Sequence, residues 1–169
     1  MNSQGVDLMS SDIMQAINQE LTNIELRRHQ LIFLVRDQFR KDIKYVSESL
    51  EIPYININYE LSKMLKDLPV KKRPRKVSEF LTLIIRDKNA DMLVLDHIEI
   101  LFDPQLQQNP VLLLENISRN VTLIVRWKGH CSGRKLVYSE PENDDYFTHD
   151  DTEGMIINYT LRGKSHEIW

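Results

Sequence analysis

Glycine is missing from this chain where a nucleotide site would need it most. The five glycines are Gly5, Gly129, Gly133, Gly154 and Gly163, and residues 6–128 contain none. A GxGxxG or GxxxxGK(S/T) loop needs glycine for its tight turn and for close approach of backbone to phosphate. Both loops are therefore excluded from that stretch. The 169 residues are enough for one domain with a real core. Lys and Arg number 22 against 25 Asp and Glu, a net charge of -3. The chain as a whole lacks the electrostatic signature of a nucleic-acid binder, although local patches can still bind. The longest uninterrupted aliphatic or aromatic run is Leu31 to Val35, far short of the ~18 residues that cross a bilayer. No secretory signal opens the sequence. The single cysteine, Cys131, excludes an internal disulfide and a multi-cysteine zinc site. No membrane partner and a cytoplasmic location are the expectations.

Hydrophobic spacing outlines the elements. Ile13, Ile17, Leu21 and Ile24 mark one face of a helix from about Asp12 to Arg27, capped by Ser11 or Asp12. Gln30–Val35 reads as a buried strand, and Ile43, Val46 and Leu50 as a helical face. Ile52–Ile57 is a second strand, and Asn58 is positioned to cap a short helix carrying Leu61, Met64, Leu65 and Leu68. A helix over roughly residues 75–88 buries Val77, Phe80, Leu81, Ile84 and Ile85. Met92–Leu95 is a third strand, ending in Asp96. Asn109-Pro110 starts another helix. Val121–Trp127 is a fourth strand, Leu136–Ser139 a fifth, and Met155–Leu161 a last one. An acidic, exposed stretch covers residues 140–153.

Strands that read as buried on both faces alternate with helices from residue 30 to 127. That pattern predicts an α/β fold with a mostly parallel sheet between helices, a three-layer α/β/α arrangement. The reading divides the chain into an N-terminal helix over residues 1–28, an α/β core over 29–147 and a C-terminal extension over 148–169. In such sheets ligands bind beyond the carboxyl ends of the strands. The segments after Val35, Leu95 and Trp127 are therefore the ones that matter.

The first of these runs Arg36-Asp37-Gln38-Phe39-Arg40-Lys41-Asp42 into a helix. A phosphate loop would stand here, with Lys41 as its lysine. Asp42, however, takes the place of the magnesium-binding hydroxyl. Arg36 and Arg40 fall at or near glycine positions, where a Cβ disfavours positive φ. A degenerate phosphate site and an ordinary helix start with solvated charges both fit. The second segment, Asp91–Glu99, has four apolar residues and then Asp96, a Walker B-like pattern. A carboxylate at a strand end can hold magnesium through water, or simply cap the next turn. Glu99 would be the polarising acid of an ATPase, three residues on rather than adjacent. After the fourth strand, Lys128–Arg134 reads as a two-glycine loop in which His130 and Cys131 lack an acid partner.

A basic run stands apart from these segments. Lys71, Lys72, Arg73, Arg75 and Lys76 place five cations in six residues between Pro69 and the helix that follows Pro74. It reads as an exposed connection. It could contact DNA phosphates, aided by Arg27, Arg28, Arg126, Lys128, Arg134 and Lys135 if they share its face. The acidic stretch is an equally good partner for it, within one chain or between copies.

Several phrases in order carry a family resemblance. They are Pro53–Ser62 (PYININYELS), Lys72-Arg73-Pro74, Leu95–Pro104 (LDHIEILFDP), Asn109–Leu114 (NPVLLL), Ser118–Thr122 (SRNVT) and Tyr138–Pro141 (YSEP), closed by Tyr146. Over residues 28–147 the chain resembles BrxF, the family of small P-loop proteins of type III BREX phage-defence systems. The resemblance implies an AAA-like P-loop NTPase core. It also implies partners from the same system: a large ATPase, a DNA methyltransferase and an alkaline-phosphatase-like protein. The family's phosphate loop maps onto Arg36–Asp42, where this sequence departs completely. Its Walker B carboxylate maps onto Asp96, which is kept.

The expected function is a non-catalytic or regulatory P-loop-like subunit of a BREX complex. No cofactor is expected, and self-association is open. The alternatives are an ATP–magnesium switch or ATPase using Lys41, Asp96 and Glu99, and a DNA-binding accessory module using residues 71–76.

Overall fold

The computed structural model describes residues 3–35, 41–159 and 166–168. Five helices are present among them: α1 (Ser3–Leu21), α2 (Lys41–Leu50), α3 (Ile57–Leu65), α4 (Val77–Asp87) and α5 (Pro110–Ile117). The main sheet contains β1 (Leu31–Val35), β2 (Tyr54–Asn56), β3 (Met92–Asp96), β4 (Thr122–Trp127), β8 (Met155–Tyr159) and β9 (His166–Ile168). Its order is β2-β3-β4-β1-β8-β9. The first five strands run parallel, and β9 joins β8 antiparallel at the edge. The expected α/β class with a mostly parallel sheet is therefore what the chain forms. Among the described residues no helix is long and apolar enough to cross a membrane.

Alternation along the central strands sorts the core. Leu31, Phe33 and Val35 of β1 share one cluster with Leu93 and Leu95 of β3 and with Leu123, Val125 and Trp127 of β4. Buried residues of α3, α4 and α5 complete it. Ile32 and Leu34, with Val94, Ile124 and Ile157, point the other way and meet Ile13 and Ile17 of α1 and Ile43 and Val46 of α2. Period-2 strands with both faces covered read as continuous apolar runs, and β1 and β4 are buried at every position.

Several boundaries differ from the sequence reading. Helix α1 starts at Ser3 and ends at Leu21, and Ile24 is buried from a separate 3-10 turn, Ile24–Leu26. Val6 and Met9 continue the spacing of Ile13 and Ile17, so the periodic pattern begins earlier than the capping signal at residues 11 and 12. The cap of α3 is Asn56, whose side chain accepts from the Tyr59 N–H, and not Asn58. Ile57 thereby enters the first helical turn fully buried. Asn109 and Pro110 do start α5: the Asn109 side chain accepts from the Leu112 N–H, and Pro110 opens the helix.

Residues 128–134 are more than a loop. A small antiparallel sheet, β5 (His130–Ser132), β6 (Lys135–Tyr138) and β7 (Phe147–His149), follows β4 in order. Its tight turn carries Gly133 at φ +58°. The sheet closes over Trp127, which is fully buried. The indole N–H donates to the Val137 carbonyl at 2.9 Å. Phe33 and Phe102 meet its ring edge-on, and Tyr138 stacks on Phe102 with centroids 3.7 Å apart. Gly129 lies against the same carbonyl, and a Cβ there would stand 1.8 Å from Val137 O. Gly129→Ala should therefore force backbone apart and destabilise the chain by about 2–3 kcal/mol, read as a lower midpoint in urea unfolding.

Candidate functional site

The strand order brings the three segments singled out above to one edge. β1, β4 and β3 are neighbours, so their carboxyl ends open side by side, where parallel sheets place ligands. Arg36 and Arg40 lie outside the described residues. Of Lys41 and Asp42 only the backbone is described, as the first two positions of α2.

Asp96 ends β3 and is 2% exposed. Its Oδ2 accepts from the Tyr54 hydroxyl at 2.6 Å, and its Oδ1 from the His97 N–H at 2.8 Å. Arg126 Nη1 stands 3.7 Å from Oδ1. The register explains the meeting. β3 and β4 pair Val94 with Ile124 and Leu95 with Val125, so the next residues are Asp96 and Arg126. β2 pairs Tyr54 with Val94, two residues before Asp96 and therefore on the same face. Arg126 Nη1 is buried and makes no hydrogen bond among the described residues; its counter-charge is the Asp96 carboxylate. Burial, and then the hydrogen bond to Asp96, push the Tyr54 phenol far above its ordinary range. The phenol therefore stays protonated and keeps donating to Asp96.

A second cluster surrounds Glu99, at the start of the 3-10 turn Glu99–Phe102. Asn58 Nδ2 donates to Glu99 Oε2 at 2.8 Å, and the Lys128 ammonium lies against Oε1. Asn58 also accepts from the Ile100 N–H at 2.7 Å, and its own N–H donates to the His97 carbonyl at 2.8 Å. These bonds hold His97 at φ +51°, in the left-handed region that non-glycine residues seldom adopt. The His97 ring stands 3.5 Å from Asp96 Oδ2 and 3.7 Å from Glu99 Oε1.

The edge thus holds two carboxylates and two cations, with the neutral hydroxyl of Tyr54 bonded to one of them. Asp96 and Glu99 are the groups there that could hold a metal. A divalent ion would have to compete with Arg126 for the first and with Lys128 for the second. Tyr54 and Arg126 were not assigned this role by sequence reasoning. The charge of Arg126 suggests a contact with DNA, yet the residue is buried and faces Asp96. The available signal was its position: an arginine near the end of an apolar strand has the same parity as an aspartate ending another.

Four other cations that could aid a DNA contact, Arg27, Lys128, Arg134 and Lys135, are also engaged locally. Lys128 meets Glu99. Arg134 pairs with Asp151 at 3.0 Å and donates to the Thr152 and Gly154 carbonyls. Lys135 lies 3.8 Å from Asp150, and Arg27 reaches the Glu153 carbonyl at 3.3 Å. The acidic stretch therefore meets the β5–β6 hairpin through Asp150 and Asp151. The basic run forms a 3-10 segment, Val70–Arg75, in which Lys71, Lys72 and Arg75 are exposed.

Comparison with known proteins finds no match to a family model, a curated protein or a solved structure.

Two outcomes follow from the site's electrostatics. Arg126→Met leaves the Asp96 carboxylate buried with its cation gone, and should destabilise the fold by about 3–5 kcal/mol in urea unfolding. Adding Asp96→Asn to it should restore a large part of that loss. The second outcome concerns Tyr138, whose phenol is pushed up to about 12 by burial, then by the charges of Glu99 and Asp145. Its unfolded value is near 10.0, so the folded chain holds the proton more tightly. That contribution is complete below pH 10 and drains away as pH rises towards 12. Tyr138→Phe, which keeps the ring on Phe102, should flatten the alkaline loss of stability in this window.

Proposed function

We propose that this chain is a non-catalytic, P-loop-like subunit that assembles with or regulates the other components of a bacterial BREX anti-phage defence complex. The finer fold in this reading is a three-layer α/β/α, AAA-like core with a degenerate phosphate loop. Its support is that β1 is followed in sequence by α2, and that β1 ends at the same edge of the sheet as the strand that carries Asp96. Helices packed on both faces of the sheet add to it. The setting and the partners rest on the sequence phrases that resemble BrxF. In that setting the partners are the large ATPase, the methyltransferase and the phosphatase-like protein.

One observation carries the non-catalytic part of the reading. Asp96 is already neutralised from within. Catalysis of phosphoryl transfer depends on a magnesium ion that bridges phosphate oxygens, and on a backbone cradle that positions them. Here the carboxylate suited to that ion accepts from a tyrosine hydroxyl and a backbone N–H and faces a buried guanidinium. The sequence between β1 and α2 has arginines at or near the positions where the cradle needs glycine. Glu99, the acid that would polarise a water, is bound by Asn58 and Lys128. A scaffold of this kind keeps its shape without a nucleotide and presents its surface to partners.

Calorimetry with ATP and magnesium tests the reading. No binding tighter than about 10 μM, a free energy near -7 kcal/mol, is expected, and tighter binding would overturn it. Co-expression with the large ATPase, methyltransferase and phosphatase-like protein of a type III BREX system tests the setting. Co-purification with at least one of them is the expected result, and co-purification with none rejects the assignment.

A further inference from the structure

We infer that the 3-10 segment Val70–Arg75 is a rigid cationic ridge that contacts the phosphate backbone of duplex DNA without reading its sequence. The segment is built into the fold at both ends. The Lys72 N–H donates to the Pro69 carbonyl at 2.9 Å and the Lys76 N–H to the Arg73 carbonyl at 3.0 Å. Arg73 Nε donates back to the Leu68 carbonyl at 3.0 Å. Gln108 Nε2 donates to the Pro74 carbonyl at 2.9 Å, so the residues just before α5 tie the ridge down. Pro69 and Pro74 fix φ at two positions.

Helical geometry divides the five cations. A 3-10 helix has 3.0 residues per turn and rises about 2.0 Å per residue. Lys72 and Arg75 therefore align on one edge, about 6 Å apart along the axis, with Lys71 on the adjoining row. All three are exposed. The other two are engaged: Arg73 on the Leu68 carbonyl and Lys76 on Glu79 at 3.0 Å. Two cations thus anchor the turn and three face solvent on a backbone that is already ordered. Preorganisation lowers the entropy lost when they meet a partner.

The chemistry of the ridge favours nucleic acid over protein. A protein interface is anchored by aromatic or aliphatic groups that fill pockets. The only exposed large apolar side chain within the segment is Val70. Phosphate contact asks only for clustered cations. The acidic groups of this chain nearest in kind to a partner are partly used elsewhere, Asp150 and Asp151 lying on Lys135 and Arg134. The inference is independent of the assembly role proposed above, because the bonds that build the ridge run to Leu68, Pro69, Glu79 and Gln108 and involve neither Asp96 nor Glu99.

Fluorescence anisotropy with a short mixed-sequence DNA duplex tests it on the full chain. Binding should be measurable near ~50 mM salt and fall steeply towards ~200 mM. The triple variant Lys71→Ala, Lys72→Ala, Arg75→Ala should fold as the parent does by circular dichroism, since the three side chains are exposed. It should lose most of the affinity and lower the slope of log K against log salt by about 2–3, roughly 0.9 for each phosphate contact. Lys135→Ala, an exposed cation on the small sheet, should leave binding unchanged. The inference is overturned if the parent shows no binding at the lower salt, or if the triple variant binds like the parent. An equal loss in Lys135→Ala also overturns it. So does sedimentation showing that the run instead joins two copies, with no duplex bound.

Discussion

A charge taken out of water must find partners inside the protein, and Asp96 is where this chain meets that demand. An ionised carboxylate that is 2% exposed is tolerated only with a counter-ion and hydrogen bonds on its oxygens. The three groups that satisfy it come from different places along the chain. Tyr54 comes from β2, Arg126 from β4, and the His97 N–H from the turn that follows β3 itself. Three neighbouring strands, β2, β3 and β4, are thus tied together beside the edge where a parallel sheet ordinarily opens to a ligand. The register of β2 and β4 against β3 puts all three side chains on one face, so a slip of either strand by one residue would break the network.

The turn after β3 carries that constraint outwards. His97 holds a left-handed backbone with its carbonyl bound by the Asn58 N–H and its own N–H bound by Asp96. Glu99 in turn meets Lys128, just past the end of β4. Lys128 follows Trp127, and Trp127 donates to Val137 in the small sheet. A continuous path of polar and aromatic contacts therefore joins the Asp96 edge to the β5–β7 layer. Gly129 is the hinge of that path: the indole and the Val137 carbonyl leave no space for a side chain there. Tyr138 records the coupling, its proton held partly by the charge on Glu99.

Much of the architecture was legible because it depends on local pattern. Buried runs such as Leu31–Val35 and Val121–Trp127 name themselves as strands, and the spacing in Val77–Ile85 names a helix. The Asn109-Pro110 start was readable because its cap acts within one turn. Asn56 and Asn58 show where this ends. Both suit a cap chemically, and what decides between them is that Ile57 must be buried while Asn58 is needed by Glu99 and Ile100. The small sheet was half visible, since β6 has an apolar pair while β5 and β7 are three-residue strands with little periodicity. The site was legible in its two carboxylates, Asp96 and Glu99, and not in the groups that bind Asp96. Asp96 ends a buried strand and so stood out, but Tyr54 and Arg126 looked like ordinary strand and surface residues.

By itself, the amino-acid sequence determined the alternation of strands and helices, the absence of glycine after β1 and the density of charge at residues 71–76. These are properties of composition and spacing, and no distant contact can alter them. The tertiary structure decided the order β2-β3-β4-β1-β8-β9, and with it which side chains meet. Strand order is set by long-range packing, which local periodicity does not encode. Only that order brings Arg126 to Asp96 and turns a surface-looking cation into the counter-ion of a buried acid.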